Sequence, residues 1–202
     1  MLDLILRPVK ERVFAPAARA IGQRLSPMAL TLVAFVAGIS AAVLVALGAY
    51  RPALALWLLN RLLDGLDGSL ARAQGSQTDF GGYVDILLDF VVYAAIPIAF
   101  VIASPRLPLA VAALVLLGSF YLNAASWMYL AALLERRDLG ARSRGELTSI
   151  TMPAGVVGGT ETILFYTVFF LLPDRLVVLF GVMSALVLAS VGQRIFWAAR
   201  QL

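Results

Sequence analysis

Four aspartates, Asp64, Asp67, Asp85 and Asp89, stand within 26 positions of a chain that is otherwise nearly as apolar as a bilayer. An unpaired Asp at the bilayer centre costs about 2.5–3.5 kcal/mol on insertion scales, less toward the rim. Gathered carboxylates also repel one another, so protons or a cation must neutralise them. The chain has no cysteine and no histidine. That excludes thiol nucleophiles, disulfides, histidine bases and Cys/His zinc sites. Oxygen ligands remain, which suit Mg²⁺ or Mn²⁺, and four carboxylates are enough for two such ions. Ions of this kind commonly hold phosphate oxygens too, which points to a phosphorylated substrate. A simpler reading pairs the acids with Arg61 and Arg72 as glue between helices, but four acids exceed two arginines. Asp79, in the loop between the pairs, stands outside the set.

Spacing says how the acids are held. Asp64 and Asp67 are three apart and Asp85 and Asp89 four apart, so each pair shares one helix face. Gly65 and Gly68 flank the first pair, and Gly81 and Gly82 precede the second. Glycine inside a helix costs about 1 kcal/mol against alanine, so this cluster implies close approach by a backbone or a ligand. Arg72, one turn past Asp67, suits a phosphate oxygen.

The elements that must carry these faces follow from composition. The chain has 202 residues, 61% hydrophobic and 14% charged, with mean hydropathy +0.91. Soluble domains carry about a quarter charged residues, and apolar runs long enough to span hydrocarbon recur here along the whole chain. The expected fold is all-α, a polytopic membrane protein with six transmembrane helices. Their predicted extents are Met28–Tyr50, Pro52–Arg72, Tyr83–Ala103, Leu107–Leu134, Ala154–Leu172 and Leu176–Ala199. Residues 1–26 form a separate interfacial helix, and 27–202 one membrane domain. In the first segment Leu2, Ile5, Val9, Val13, Ala17 and Ile21 recur at helical spacing, while Arg7, Lys10 and Arg12 break any signal-like apolar run. A bend is expected near Pro16.

With the N-terminus inside, Arg7, Lys10, Arg12, Arg19, Arg24, Arg72, Arg136, Arg137, Arg142, Arg144, Arg194 and Arg200 fall on the cytoplasmic side. Only Arg51, Arg106 and Arg175 fall opposite. This positive-inside bias places both termini and both polar loops, 73–82 and 135–152, in the cytoplasm. The four aspartates then converge just inside the cytoplasmic rim. The net charge of +4 reflects headgroup contact and calls for no nucleic-acid partner.

The run Asp64-x-x-Asp67-Gly68-x-x-Ala71-Arg72, followed by Gly81, Asp85 and Asp89, fills every fixed position of D-x-x-D-G-x-x-A-R-x8-G-x3-D-x3-D. It resembles the signature of the CDP-alcohol phosphotransferases (CDP-alcohol phosphatidyltransferases). The resemblance extends over most of the chain, since that family also has an interfacial helix, six spans and a cytoplasmic site. It implies displacement of CMP from a CDP-linked donor, usually CDP-diacylglycerol, by the hydroxyl of an alcohol. It implies two metal ions held by Asp64, Asp67 and Asp85, with Asp89 as general base also touching one ion. Gly68, Ala71 and Arg72 then belong to the nucleotide side. SPMALTLVAF resembles the family's Pro-x-x-x-Thr segment near the cytidine, with Pro27 and Thr31 in place, though Met28 stands where many members have Asn. Thr78 is a further nucleotide contact on this reading. A homodimer in a bacterial inner membrane is implied as well.

The acceptor is less defined. By the same resemblance, Arg142 and Arg144 in the 135–152 loop are candidates for holding an acceptor phosphate. Glu161 is the one acid inside the fifth span, and intramembrane acids commonly face a cavity or a partner; pairing with Arg61 is one possibility. Asn60, Arg61, Asn123 and Glu161 are the candidate acceptor lining. The stretch TMPAGVVGGTETILFYTVFFLLP resembles a bacterial inner-membrane subgroup with no assigned acceptor. Two rival functions also use acids in a membrane. A prenyltransferase carries two Asp-rich motifs far apart on a longer chain, and a divalent-cation transporter carries acids at midplane on repeated halves.

Overall fold

A computed structural model describes residues 13–137 and 155–202. Among them every regular element is helical: α1 (13–21), α2 (Pro27–Ala46), α3 (Tyr50–Gln74), α4 (Asp79–Ala103), α5 (Leu107–Arg136), α6 (Gly159–Leu171), a 3-10 turn Pro173–Arg175, and α7 (Leu176–Gln201). Local chemistry sets the ends. Ser26 caps α2, its hydroxyl accepting from the Ala29 N–H at 3.1 Å ahead of Pro27 in the first turn. Gly75, at φ 62°, closes α3 in the left-handed region, and Ser76 N–H reaches the Ala71 carbonyl. Thr78 caps α4 through the Gly81 N–H.

The all-α expectation agrees with the observed elements. Four helices, α2, α4, α5 and the 3-10 turn running into α7, are long and apolar enough to cross a membrane. The second and fifth expected spans differ from these. α3 has the length, 25 residues, but its second half carries Arg61, Asp64, Asp67 and Arg72. α6 has 13 residues, about 20 Å at 1.5 Å per residue, short of the ~30 Å hydrocarbon core. Its start is delayed because residues 155–158 turn against α7 instead of coiling. The Val157 N–H donates to Ser190 Oγ at 2.9 Å, and a Cβ on Gly155 would meet Ser190 Cβ at 2.9 Å.

α2 lies against α3 and α4, α5 against α7, and α3 against α6. The face of α2 that makes these contacts is built of small residues, Ala34, Ala37, Gly38, Ala41 and Ala42, all buried. Without a hydrophobic drive between helices in lipid, small faces gain contact by close approach. At Gly38 the fit is tight: a Cβ would meet the Val92 side chain at 2.7 Å. The core beyond it is aromatic. Trp57 stacks on Tyr166 (5.2 Å between centroids), Tyr166 meets Tyr93 edge-on at 5.1 Å, and Phe169 meets Phe180 at 4.8 Å. Outward faces carry Val36, Leu114 and Val178, each more than 60% exposed, as a lipid-facing surface requires.

The expected N-terminal helix falls partly outside the described residues; residues 13–21 are helical and dock on α3. Ala18 is fully buried with Leu30, Leu66 and Leu70, and Phe14, Ile21 and Leu63 pack around them. Phe14 occupies the notch over Gly65, where a Cβ would meet its ring at 2.7 Å. Gln74 Nε2 donates to the Gly22 and Leu25 carbonyls at 2.6 and 2.9 Å, pinning the α1–α2 turn to the end of α3. The helices flanking the first polar loop run closer together than 73–82 suggested. Asp79 is the first residue of α4, and Gly81 and Gly82 lie in its first turn.

Candidate active site

α3 and α4 are joined by four residues, so their facing ends bring the two aspartate pairs together. Asp64, Asp85 and Asp89 line one cleft with Thr31, Asn60 and Val92. Asp67 lies deeper, 5% exposed. Each of the four carboxylates is close enough to repel every other one.

The side chains behind the cleft hold these acids in place. Arg61, 8% exposed, grips Asp89 with both terminal nitrogens, NH2 to Oδ1 at 2.6 Å and NH1 to Oδ2 at 3.3 Å. Its NH1 also stands 3.7 Å from Asp64 Oδ2 and donates to Tyr93 Oη at 2.9 Å. Arg61 Nε donates to Asn60 Oδ1 at 2.7 Å, and Asn60 Nδ2 donates to the Ala34 carbonyl at 2.8 Å. On the second turn of α2, Thr31 Oγ1 donates to Asp67 Oδ2 at 2.6 Å. Arg72 NH2 donates to Ser69 Oγ at 3.1 Å, and its guanidinium lies 3.4 Å from where a Cβ on Gly68 would sit. A Cβ at Gly68 would thus lie in ordinary contact with the arginine of its own motif.

The donor set can be tested against a hard divalent ion. Among the described residues no three carboxylates are arranged to hold a metal as they stand, and Arg61 and Thr31 engage three of the four. The chemistry of the set nevertheless fits. Asp64 and Asp89 both face the Arg61 guanidinium, at 3.7 and 2.6 Å, and carboxyls gathered in this way need a proton or a cation among them. All the ligating atoms are oxygen, as Mg²⁺ and Mn²⁺ prefer.

The structure places the other candidate residues as follows. Arg61 and Asn60, expected on the acceptor side, make their contacts within the aspartate cluster. Glu161 accepts from the Gly158 N–H at 3.1 Å, at the start of α6, and Arg61 is turned to Asp89 and Asp64 instead. Thr31 holds Asp67, and Thr78 Oγ1 accepts from the Gly81 N–H at 3.0 Å; both hydroxyls are engaged by the protein. Pro27 is the first residue of α2. Arg142 and Arg144 lie outside the described residues. Asn123 meets a residue that sequence reasoning sorted with the surface basic set. Arg194 on α7 is 6% exposed and donates from NH1 to Asn123 Oδ1 at 2.6 Å. Nothing in the local sequence separates it from Arg200. Tyr93 and Trp57 were also missed, although helical spacing reveals them: Trp57 lies four residues before Arg61, and Tyr93 four after Asp89.

Residues 24–199 match the family described as CDP-alcohol phosphatidyltransferase. The chain is 39% identical over 174 residues to inner membrane protein YnjF of Escherichia coli, covering 86% of this chain and 83% of that protein. It is 30% identical over 170 residues to the bifunctional IPC transferase and DIPP synthase of Thermococcus kodakarensis, spanning 83% of this chain but 37% of that longer protein. Among solved structures it is similar to phosphatidylinositol phosphate synthase of Mycobacterium tuberculosis with CDP-DAG bound. That match has a TM-score of 0.71 and 20% identity and covers 92% of each chain. The same enzyme with manganese and citrate gives 0.70 at 21% identity, over 91% and 87% of the two chains. At such identity the likeness is one of fold.

Proposed function

Since the chain belongs to the CDP-alcohol phosphatidyltransferase family and is thus a transferase, we propose that it moves a phosphatidyl group from CDP-diacylglycerol to an alcohol, releasing CMP. The observation that carries this reading is the convergence of Asp64, Asp85 and Asp89 in one cleft with Asp67 behind them. That a structural neighbour of the same fold was solved with CDP-DAG bound supports the donor.

In the proposed reaction the acceptor oxygen bonds to the phosphatidyl phosphorus while the bond from that phosphorus to the bridging oxygen breaks. CMP leaves with the bridging oxygen and its electron pair. Asp89 takes the proton of the attacking hydroxyl. Asp64, Asp67, Asp85 and Asp89 would hold Mg²⁺ or Mn²⁺, two ions on this reading, and the bound metal would supply charge neutralisation to the diphosphate. Manganese in the same neighbour supports that assignment. Thr31 fixes the rotamer of Asp67, and Arg61 that of Asp89. Gly68, Ala71 and Arg72 form the nucleotide side, with Arg72 as phosphate contact. On the acceptor side we assign half-buried Asn123 and buried Arg194, a second polar pair.

α2 to α7 serve as six crossings, α6 being a short one. The active site and both termini face the cytoplasm, by the positive-inside distribution of Lys and Arg. The lipid bilayer of a bacterial inner membrane is the setting, as the name of the YnjF relative supports, with a homodimer as the working assembly.

The test uses purified protein, CDP-diacylglycerol and a panel of alcohols, with CMP release and lipid products followed by mass spectrometry. Expected is metal-dependent CMP release with one class of acceptor, lost in EDTA and restored by Mg²⁺ or Mn²⁺. Absence of CMP release with every acceptor would sink the reading. Turnover of a prenyl diphosphate, or metal uptake into proteoliposomes without CMP release, would favour a rival.

A further inference from the structure

A cluster of acids meant to take up metal contains a cation of its own. The Arg61 side chain, 5% exposed, sits on the protein side of the cleft and not at its mouth. Its planar fork fits the Asp89 carboxylate, with two N–H groups on two oxygens. The remaining donors are used behind it. Nε is held by Asn60, which is anchored to the α2 backbone at Ala34, and NH1 also reaches Tyr93 Oη. Two aromatic faces complete the seat, with the guanidinium carbon 4.9 Å from the Trp57 ring centre and 5.0 Å from that of Tyr93. A lysine could supply the charge but neither the fork nor the stacking. These contacts come from α2, α3 and α4 together, so the position of the guanidinium is built by the fold.

We propose that Arg61 is a resident counter-cation of the aspartate cluster, a positioning residue that holds the Asp89 and Asp64 carboxylates together whether or not metal is bound. The inference rests on the metal-site reading above. Its physical content is charge: one fixed positive charge partly offsets four carboxylates before any ion arrives. The cluster therefore assembles during folding without metal, and it binds each cation less tightly than four unopposed acids would. Weaker, exchangeable metal is the cost of a site that is already organised.

The experiment uses the whole protein in nanodiscs, with two readings that need no turnover. The first is Mn²⁺ affinity by electron paramagnetic resonance titration. Arg61→Gln should bind Mn²⁺ more tightly, on the order of threefold to tenfold, because a like charge near the ion has been removed. Arg61→Lys should stay close to wild type. The second is a double-mutant cycle of melting temperatures in EDTA with Arg61→Gln and Asp89→Asn. The double variant should lose less than the two single losses combined, by about a few degrees. Unchanged or weaker Mn²⁺ binding in Arg61→Gln, or strictly additive losses in EDTA, overturns the proposal. Should Arg61→Gln fail to fold, the equally neutral Arg61→Met carries the cycle, and additivity there overturns it equally. Failure of the wild type to bind Mn²⁺ or release CMP would defeat the function proposed above, whereas the EDTA cycle still decides on Arg61.

Discussion

Two polar clusters interrupt this apolar bundle, and they are built differently. On α3 and α4, the four cluster acids and Arg61 fall within 29 consecutive residues, and the cluster is tied to α2 by Thr31 and, through Asn60, by the Ala34 carbonyl. On α5 and α7, Arg194 meets Asn123 across 71 residues of chain, and Ser190 meets the turn before α6 across 33. The first cluster is dense in charge and repels itself, which suits the cation-receiving role proposed for it. The second is sparse and neutral at its amide end, and it ties the late helices together. The difference shows that charge density follows from local spacing, while the contact of Arg194 with Asn123 depends on a partner far along the chain.

Asp89→Asn should break the first cluster most severely. Transfer should fall by about 10²–10⁴-fold, the usual contribution of a positioned base, while CDP-lipid binding persists; CMP release together with a binding assay checks both. Near-normal turnover would remove Asp89 from the role of base.

Gly65→Ala comes next, because it pushes a Cβ to 2.7 Å from the Phe14 ring. Overpacking of that kind costs about 1–3 kcal/mol, read as a lower melting temperature. Phe14→Ala in the same protein should recover most of that loss. If it does not, α1 does not seat on the motif helix as described.

Arg194→Gln should sharpen the contrast. Loss of the bond to Asn123 costs about 1–3 kcal/mol of stability, and the defect should fall on the α5–α7 side. Donor KM should stay near wild type while acceptor KM rises. A rise in donor KM alone would merge the two clusters into one site. Thr31→Val is the mildest, since it removes one hydrogen bond to Asp67, a net loss of about 0.5–1.5 kcal/mol. The expected result is transfer reduced roughly tenfold with a small shift in melting temperature.

Much of this site is legible without coordinates. Asp64 and Asp67 at three, Asp85 and Asp89 at four, and a short link between their helices suffice to place four carboxylates together, because helical periodicity is a local property. The same holds for the membrane setting, since long apolar stretches need only be counted. Partner choice is of another kind. Arg61 could have faced Glu161, and Arg194 could have faced solvent. Which carboxylate a guanidinium meets depends on how helices rotate and how closely they approach, and here small residues such as Gly38 against Val92 set that approach. The short α6 belongs to the same class, its start decided by the turn at 155–158 seated on Ser190. The sequence by itself determined a polytopic helical chain with four acids on two adjoining helices. Only the tertiary structure decided that an arginine stands among them, gripping Asp89, because that contact is made by packing between helices and leaves no periodic trace along the chain.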